Sequence, residues 1–365
     1  MVPQKIHVGR AALKSAFTAF GLLLAGQAAA QDPIVVDGLE QPMAARYDAQ
    51  TDRYLVSNSP GGKHGRGFIS AISPDGKVIA RKWIEGGRGK VELDAPKGLV
   101  VHDGKLYVAD IDHIRIFDAA SGKPIGEVAV KGASNLADLA VLPDGTMLAV
   151  DAGHDLASGA VFKIVGMSAT ELARGPQLWR PTSIAITPDG KVLIGPSIGS
   201  TIFEIDAAGK VSGFGQIPAQ RMQPSVVRPT ERIGGLVALG GDNVLASTWE
   251  SGRIGKVKLD AKPPLDWDAE RRIAAMRKAK AGPASDGLET AAVKRILEQA
   301  TGRSGPRGAK PRPSIAWPEA KPTDFLWSGL TTPNKMDIDP ARNRLLIPEL
   351  TAGRVVIVPM ESSEL

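Results

Sequence analysis

The chain has no cysteine. Disulfides, thiolate metal sites, a cysteine nucleophile and a lipid-anchored cysteine are therefore excluded together, and stability must come from packing and closure. Aromatic residues make up only 5% of the 365 residues, and no basic groove interleaved with aromatics can be assembled from them, which argues against nucleic acid as a partner. No apolar run is long enough to span a bilayer: the longest, AFTAFGLLLAG from Ala16 to Gly26, is too short. One catalytic signature is also missing: the run from Gly86 to Val91 lacks the spacing and the Ser/Thr of a phosphate loop.

The short apolar run has a different use. Lys5, Arg10 and Lys14 precede it and Ala28, Ala29 and Ala30 follow it, which is the order of a secretory signal peptide over residues 1–30. The mature chain is expected to start near Gln31, in a periplasm or outside the cell, with no transmembrane segment. The formal charge of +6 shrinks once it is partitioned. Three of the cations leave with the leader, and residues 261–323 alone carry 13 Lys/Arg against 7 Asp/Glu, so the rest of the chain is slightly acidic.

What the chain does have is a repeat. APKGLVVHDGKLYVAD (from Ala95), SNLADLAVLPDGTMLAVD (from Ser134) and RPTSIAITPDGKVLIGP (from Arg180) are copies of one pattern, with fainter copies from Gln41, Arg232 and Thr332. A period of roughly 40 to 50 residues with strand periodicity inside each copy predicts an all-β, six-bladed β-propeller as one domain over residues 31–365. The last copy has three strands before the chain ends, so Ile34-Val35-Val36 is expected to supply the fourth and close the ring. Between the third and fourth strands of the fifth copy, residues 261–323 form a basic insertion in which DAERRIAAMRKAKA and LETAAVKRILEQA carry apolar residues at helical spacing.

Strand polarity sorts the loops onto two faces. The Pro-Asp-Gly turns and the insertion fall on one face; these turns read as turn chemistry rather than as catalytic aspartates. The other face, the mouth, collects Asn58, His64, Asp110, His113, Trp179, Arg180, Thr182, Arg232, Trp249, Glu250, Asn334 and Glu349, which are the candidates for binding a small ligand. The stretch from Pro218 to Glu231 is expected to be a long loop near this mouth. Asp110, Asp112 and His113 stand beside Asp151, His154 and Asp155 on adjacent blades, a density of carboxylate and imidazole that could hold a divalent cation, with the capping of turns the stronger reading.

The repeat, with its Pro-Asp-Gly turns and LYVAD-type strand ends, resembles the gluconolactonase/regucalcin-like (senescence marker protein) and NHL-repeat six-bladed propellers over Asp32 to Met360. The resemblance implies a divalent metal (calcium, zinc or manganese) at the mouth, held by a Glu two residues before the first-blade proline, by Asn residues leading into two middle blades and by an Asp in the next. Glu40 matches the first ligand. The other positions fall at Ala137, Thr182 and Gly234, with Asn135 two residues early and Asp138 adjacent, so Glu40 and Asn135 are the metal candidates and Asp138, Asp151 and His154 the catalytic ones. Three readings follow. One is an exported propeller binding a small polar ligand or partner at its mouth without the usual lactonase metal site. The second is a metal-dependent hydrolase or lactonase acting on a sugar lactone or ester. The third is a scaffold whose helical insertion docks a protein partner.

Overall fold

Phe68–Ile72 and Arg53–Asn58 are short, β-branched or aromatic strands buried along their whole length, a pattern that only a sheet covered on both faces can satisfy. In the computed structural model, described at residues 32–61, 64–155, 157–197, 201–216, 220–223, 226–228, 232–259 and 325–361, they are the two middle strands of one of six four-stranded antiparallel sheets. The innermost strands are Pro42–Asp48, Pro96–His102, Leu136–Val141, Pro181–Ile186, Ile233–Ala238 and Asp337–Asp339, in blades one to six. In each of the first four blades three further strands follow consecutively. In blade five the fourth strand is Phe325–Trp327, paired with Ile254 and Gly255. Residues 1–30 and the expected helices of 261–323 lie outside the described residues.

Six apolar clusters fill the interfaces between blades. Leu55, Ile69, Leu99 and Phe117 lie between blades one and two, and the series continues round to Tyr54, Val56, Leu346 and Val355 between blades one and six. Each large side chain buried here contributes about 1.5–3 kcal/mol of transfer free energy, so the interfaces are the main store of stability in a chain without crosslinks.

Blade six takes its fourth strand from the other end of the chain: Ile34, Val35 and Val36 pair antiparallel with Ile357, Val356 and Val355. Blades one and six are also tied near the axis, where the Ala45 amide donates to Lys335 O at 3.1 Å and the Arg46 guanidinium donates to Met336 O at 2.6 Å. The Pro-Asp-Gly turns behave as turns. Gly145 and Gly190 sit at φ of 81° and 85°, in the left-handed region, and Asp144 Oδ1 accepts the Thr146 amide at 2.9 Å. One expectation needs correcting: within 218–231, read from the sequence as loop, Gln220–Gln223 pairs with Val226–Arg228 as a hairpin. Its β-branched Val226 and Val227 explain the difference, since two such residues opposite a polar partner strand favour extended backbone.

Candidate functional site

The inner strands share a distortion that builds the axis. Pairing with the second strand slips between Pro42 and Ala44, Pro96 and Leu99, Leu136 and Asp138, Pro181 and Ser183, and Ile233 and Leu236. A bulge at the same place in five blades takes one inner-strand residue out of the ladder in blades one, three and four and two residues in blades two and five. One position per blade follows the strand's first residue directly. Those residues are Met43, Lys97, Ala137, Thr182 and Gly234, and Asn334 holds the matching place in blade six, next to the Pro333–Glu349 bridge.

Around this level the axis carries charge. Lys97 donates to Asn135 Oδ1, and Lys335, buried at 3% exposure, donates to Asn334 Oδ1 at 3.2 Å. Just below, Asp138 reaches across three blades. Its Oδ1 lies 3.4 Å from Arg46 Nη2 of blade one, and its Oδ2 accepts the Ile184 amide of blade four at 3.3 Å. Gly98 of blade two makes room for it: a Cβ there would collide with both Oδ1 and Cα of Asp138. Asp337 Oδ2 accepts the Tyr47 amide at 2.8 Å. Burial sets the proton affinities of this group. It raises the pKa of Asp138 and Asp337, against the pull of Arg46, and it pushes Lys335 down to about 8, with Lys97 and Arg46 adding in the same direction and Asp138 opposing. Lys97 is lowered by burial too, with Asp151 and Asp110 opposing. On the far side of this layer the channel opens into a cavity of about 270 Å³, lined by Arg46, Tyr47, Asp337 and the apolar ends of the inner strands.

The sequence-derived candidates divide into two groups. Several are tied up in the fold. Asp110 accepts the amides of Asp94 and Ala95 at 3.1 and 2.6 Å, and Asp151 does the same for Ser134 and Asn135 at 3.3 and 2.6 Å. Asn58 accepts the Glu40 amide at 3.1 Å, Glu250 the Arg232 amide at 2.9 Å, and Glu349 the Thr331 amide. In five blades a polar side chain at the end of the second strand, or in blade five two residues past it, thus caps the loop that leads into the same blade's first strand. His113 sits 2.6 Å from Asp112 through Nδ1, and the exposed His154 lies in a loop organised by the Ser158 hydroxyl. His64 faces Asp94 at 3.0 Å beside a separate cavity of about 310 Å³ between blades one and two; that carboxylate raises the His64 pKa.

The second group surrounds the axis. Arg180 donates to the carbonyls of Ala152 and Gly153, both at 3.2 Å, and it and Trp179 adopt left-handed φ of 56° and 50°. Thr182 Oγ1 is 3.3 Å from Ile233 O. Trp249 lies under the Arg232 guanidinium at 4.9 Å and occupies the space above Gly234, where any Cβ would overlap its ring and Pro333 O. Arg46, Lys335 and Asp337 complete the axis and were missed in the sequence. The available signal was a charged residue inside an otherwise apolar inner strand, as in AARYD or NKMDID.

These side chains do not suit a divalent metal. Glu40 is engaged at 3.2 Å by Arg81 of the outermost strand of blade one, whereas Asn135 is taken by Lys97. Among the described residues no three Asp, Glu or His side chains converge. The bulge positions offer no carboxylate, and two ammonium groups stand beside them, which repel a cation. Gly234 has no space for the Asp that the resemblance implies.

No family model matches the sequence, and no curated protein does. Among solved structures the fold is similar to a protein provisionally named a gluconolactonase (13% identity over 89% of this chain and 92% of that one, TM-score 0.53). It is also similar to a luciferin-regenerating enzyme (11% over 91% and 96%, TM-score 0.54) and to a streptogramin B lyase (11% over 90% and 98%, TM-score 0.50). At these identities the likeness is one of fold: the chain is a six-bladed β-propeller.

Proposed function

We propose that the protein is an exported propeller that binds a small polar ligand at its axial mouth, without the divalent metal of the lactonases. The observation that carries this reading is the repeated register of the inner strands, with Lys97 and Thr182 at bulges in two blades and Asn334 at the matching position of a third. Ammonium, hydroxyl and amide groups are the donors that recognise hydroxyls, carbonyls and carboxylates. Arg180 and Trp179 would form the rim, and the leader over residues 1–30 accounts for export.

Saturation-transfer NMR on the full chain tests it, with a panel of sugars, sugar lactones, hydroxy acids and amino acids. At least one member is expected to give a signal that Asn334→Ala and Thr182→Val both weaken. A panel without binders, or binding indifferent to both changes, would overturn the reading. Cell fractionation with N-terminal sequencing checks the export step, the expected product starting near Gln31.

A further inference from the structure

Two cations on the axis, Lys335 buried and Lys97 half-buried, are hydrogen-bonded only to neutral groups. The Lys335 ammonium meets the amide oxygen of Asn334 and the Lys97 ammonium that of Asn135; among the described residues neither forms an ion pair with a carboxylate. The carboxylates nearby are committed elsewhere. Asp138 is held by Arg46 and by the amides of Leu139 and Ile184, and Asp337 by the Tyr47 amide. Asp138 lies close enough to Lys335 to favour its charge, and Lys97 and Arg46 close enough to disfavour it. A buried charge without a counter-charge is costly, and several like charges in one low-dielectric space raise that cost. An anion received by both ammonium groups would lower that cost. Beside them the Asn334 amide nitrogen has donors to spare, its contact being the weakly accepting Met43 sulfur at 3.8 Å.

We propose that the ligand of the axial mouth is a small carboxylate, its oxygens received by the ammonium groups of Lys97 and Lys335 and by the amide of Asn334. This rests on the binding reading above and adds to it the charge of the ligand. Lys97 is only half-buried and opens to the mouth, so an anion reaches it first; Lys335 lies deeper and fixes the second oxygen. Asp138, below, repels a second carboxylate and favours a ligand charged at one end.

Isothermal titration calorimetry on the full chain decides it, using glycerate against glycerol and succinate against succinamide, with inorganic phosphate as a further arm. Glycerate or succinate is expected to bind at least tenfold more tightly than its neutral analogue, and Lys97→Met and Lys335→Met are each expected to weaken it tenfold or more. Equal binding of acid and neutral analogue, no binding of either acid, or binding of phosphate alone would overturn the carboxylate assignment. The comparison of acid with neutral analogue in the unaltered protein needs no variant to fold. A neutral sugar that binds where both acids fail would remove this inference and leave the mouth as a binding site; silence from the whole NMR panel would remove both.

Discussion

Lys335 is the residue at which burial and charge conflict most plainly. The residue is 3% exposed, and its pKa falls from 10.5 to about 8 because burial penalises the charged form. The unfolded chain therefore holds a proton that the folded chain gives up between pH 8 and 10.5, so this residue's contribution to stability increases as pH rises through that window. A shift of this size corresponds to about 3 kcal/mol. Tyr54, whose pKa is raised by burial and by Asp339, works in the opposite sense above pH 10, which makes pH 8 to 10 the useful range. Urea denaturation across that range should show the parent gaining on Lys335→Met by about 2–3 kcal/mol. Parallel curves would mean that the lysine is already neutral or already solvated. None of this was legible in the sequence. NKMDID reads as a polar strand end, and only the Ala44–Lys335 bridge to the neighbouring blade shows that the lysine stands on the axis rather than in solvent.

At the scale of the element, the recurring device is the second strand that ends in a hydrogen-bond acceptor. Asp110, Asp151 and Glu349 end such strands, and each accepts backbone amides from the loop leading into the first strand of its blade. The small-or-acidic strand ends were plain in the sequence, and so were the strands themselves. Their role was ambiguous because a carboxylate at a loop suits a metal as well as a cap, and choosing between them requires knowing where the amides point. Asp110 also holds Arg115 at 3.3 Å, and burial raises its pKa while the Ala95 and Asp94 amides oppose the shift. Asp110→Ala should cost about 2–4 kcal/mol, since it strands two amides and removes one of the three carboxylates that hold the buried Arg115 guanidinium. Asp110→Asn should recover at least half of that by keeping an acceptor. Thermal unfolding of the pair measures it, and an alanine variant as stable as the parent would rule out the capping role. The inner strands make the converse case. Gly98 reads as an ordinary strand glycine, but a Cβ there collides with the Asp138 backbone, so Gly98→Ala should cost about 1–3 kcal/mol and disturb the Arg46–Asp138 pair.

Over the whole molecule, the absence of cysteine directs attention to how the ring is held shut. Each interface between blades has its own apolar cluster, and the one between blades one and six is no weaker in kind: Tyr54, Val56, Leu346, Val355 and Ile357 pack there with Val36. Three devices converge on it. The Ile34–Val36 strand pairs with Arg354–Pro359, the Ala45 and Lys335 amides exchange hydrogen bonds across the axis with Lys335 O and Met43 O, and Arg46 reaches Met336 O. Of these the N-terminal strand can be removed without touching the axis. Its loss takes away the buried Val36, the packing of Ile34 against the Gly76 turn, and the pairing partner of a strand that would then present a free edge. A chain lacking residues 32–36 should unfold at lower urea concentration, by about 3 kcal/mol in stability, and should associate as its concentration rises, which size-exclusion chromatography would register. The carboxylate-binding lysines belong to the other two devices and to the bulges, so ligand binding at low protein concentration should survive the truncation. If binding vanished while the chain stayed monomeric and folded, the mouth would depend on the strand, and the separation between the parts that close the ring and the parts that line its axis would be disproved.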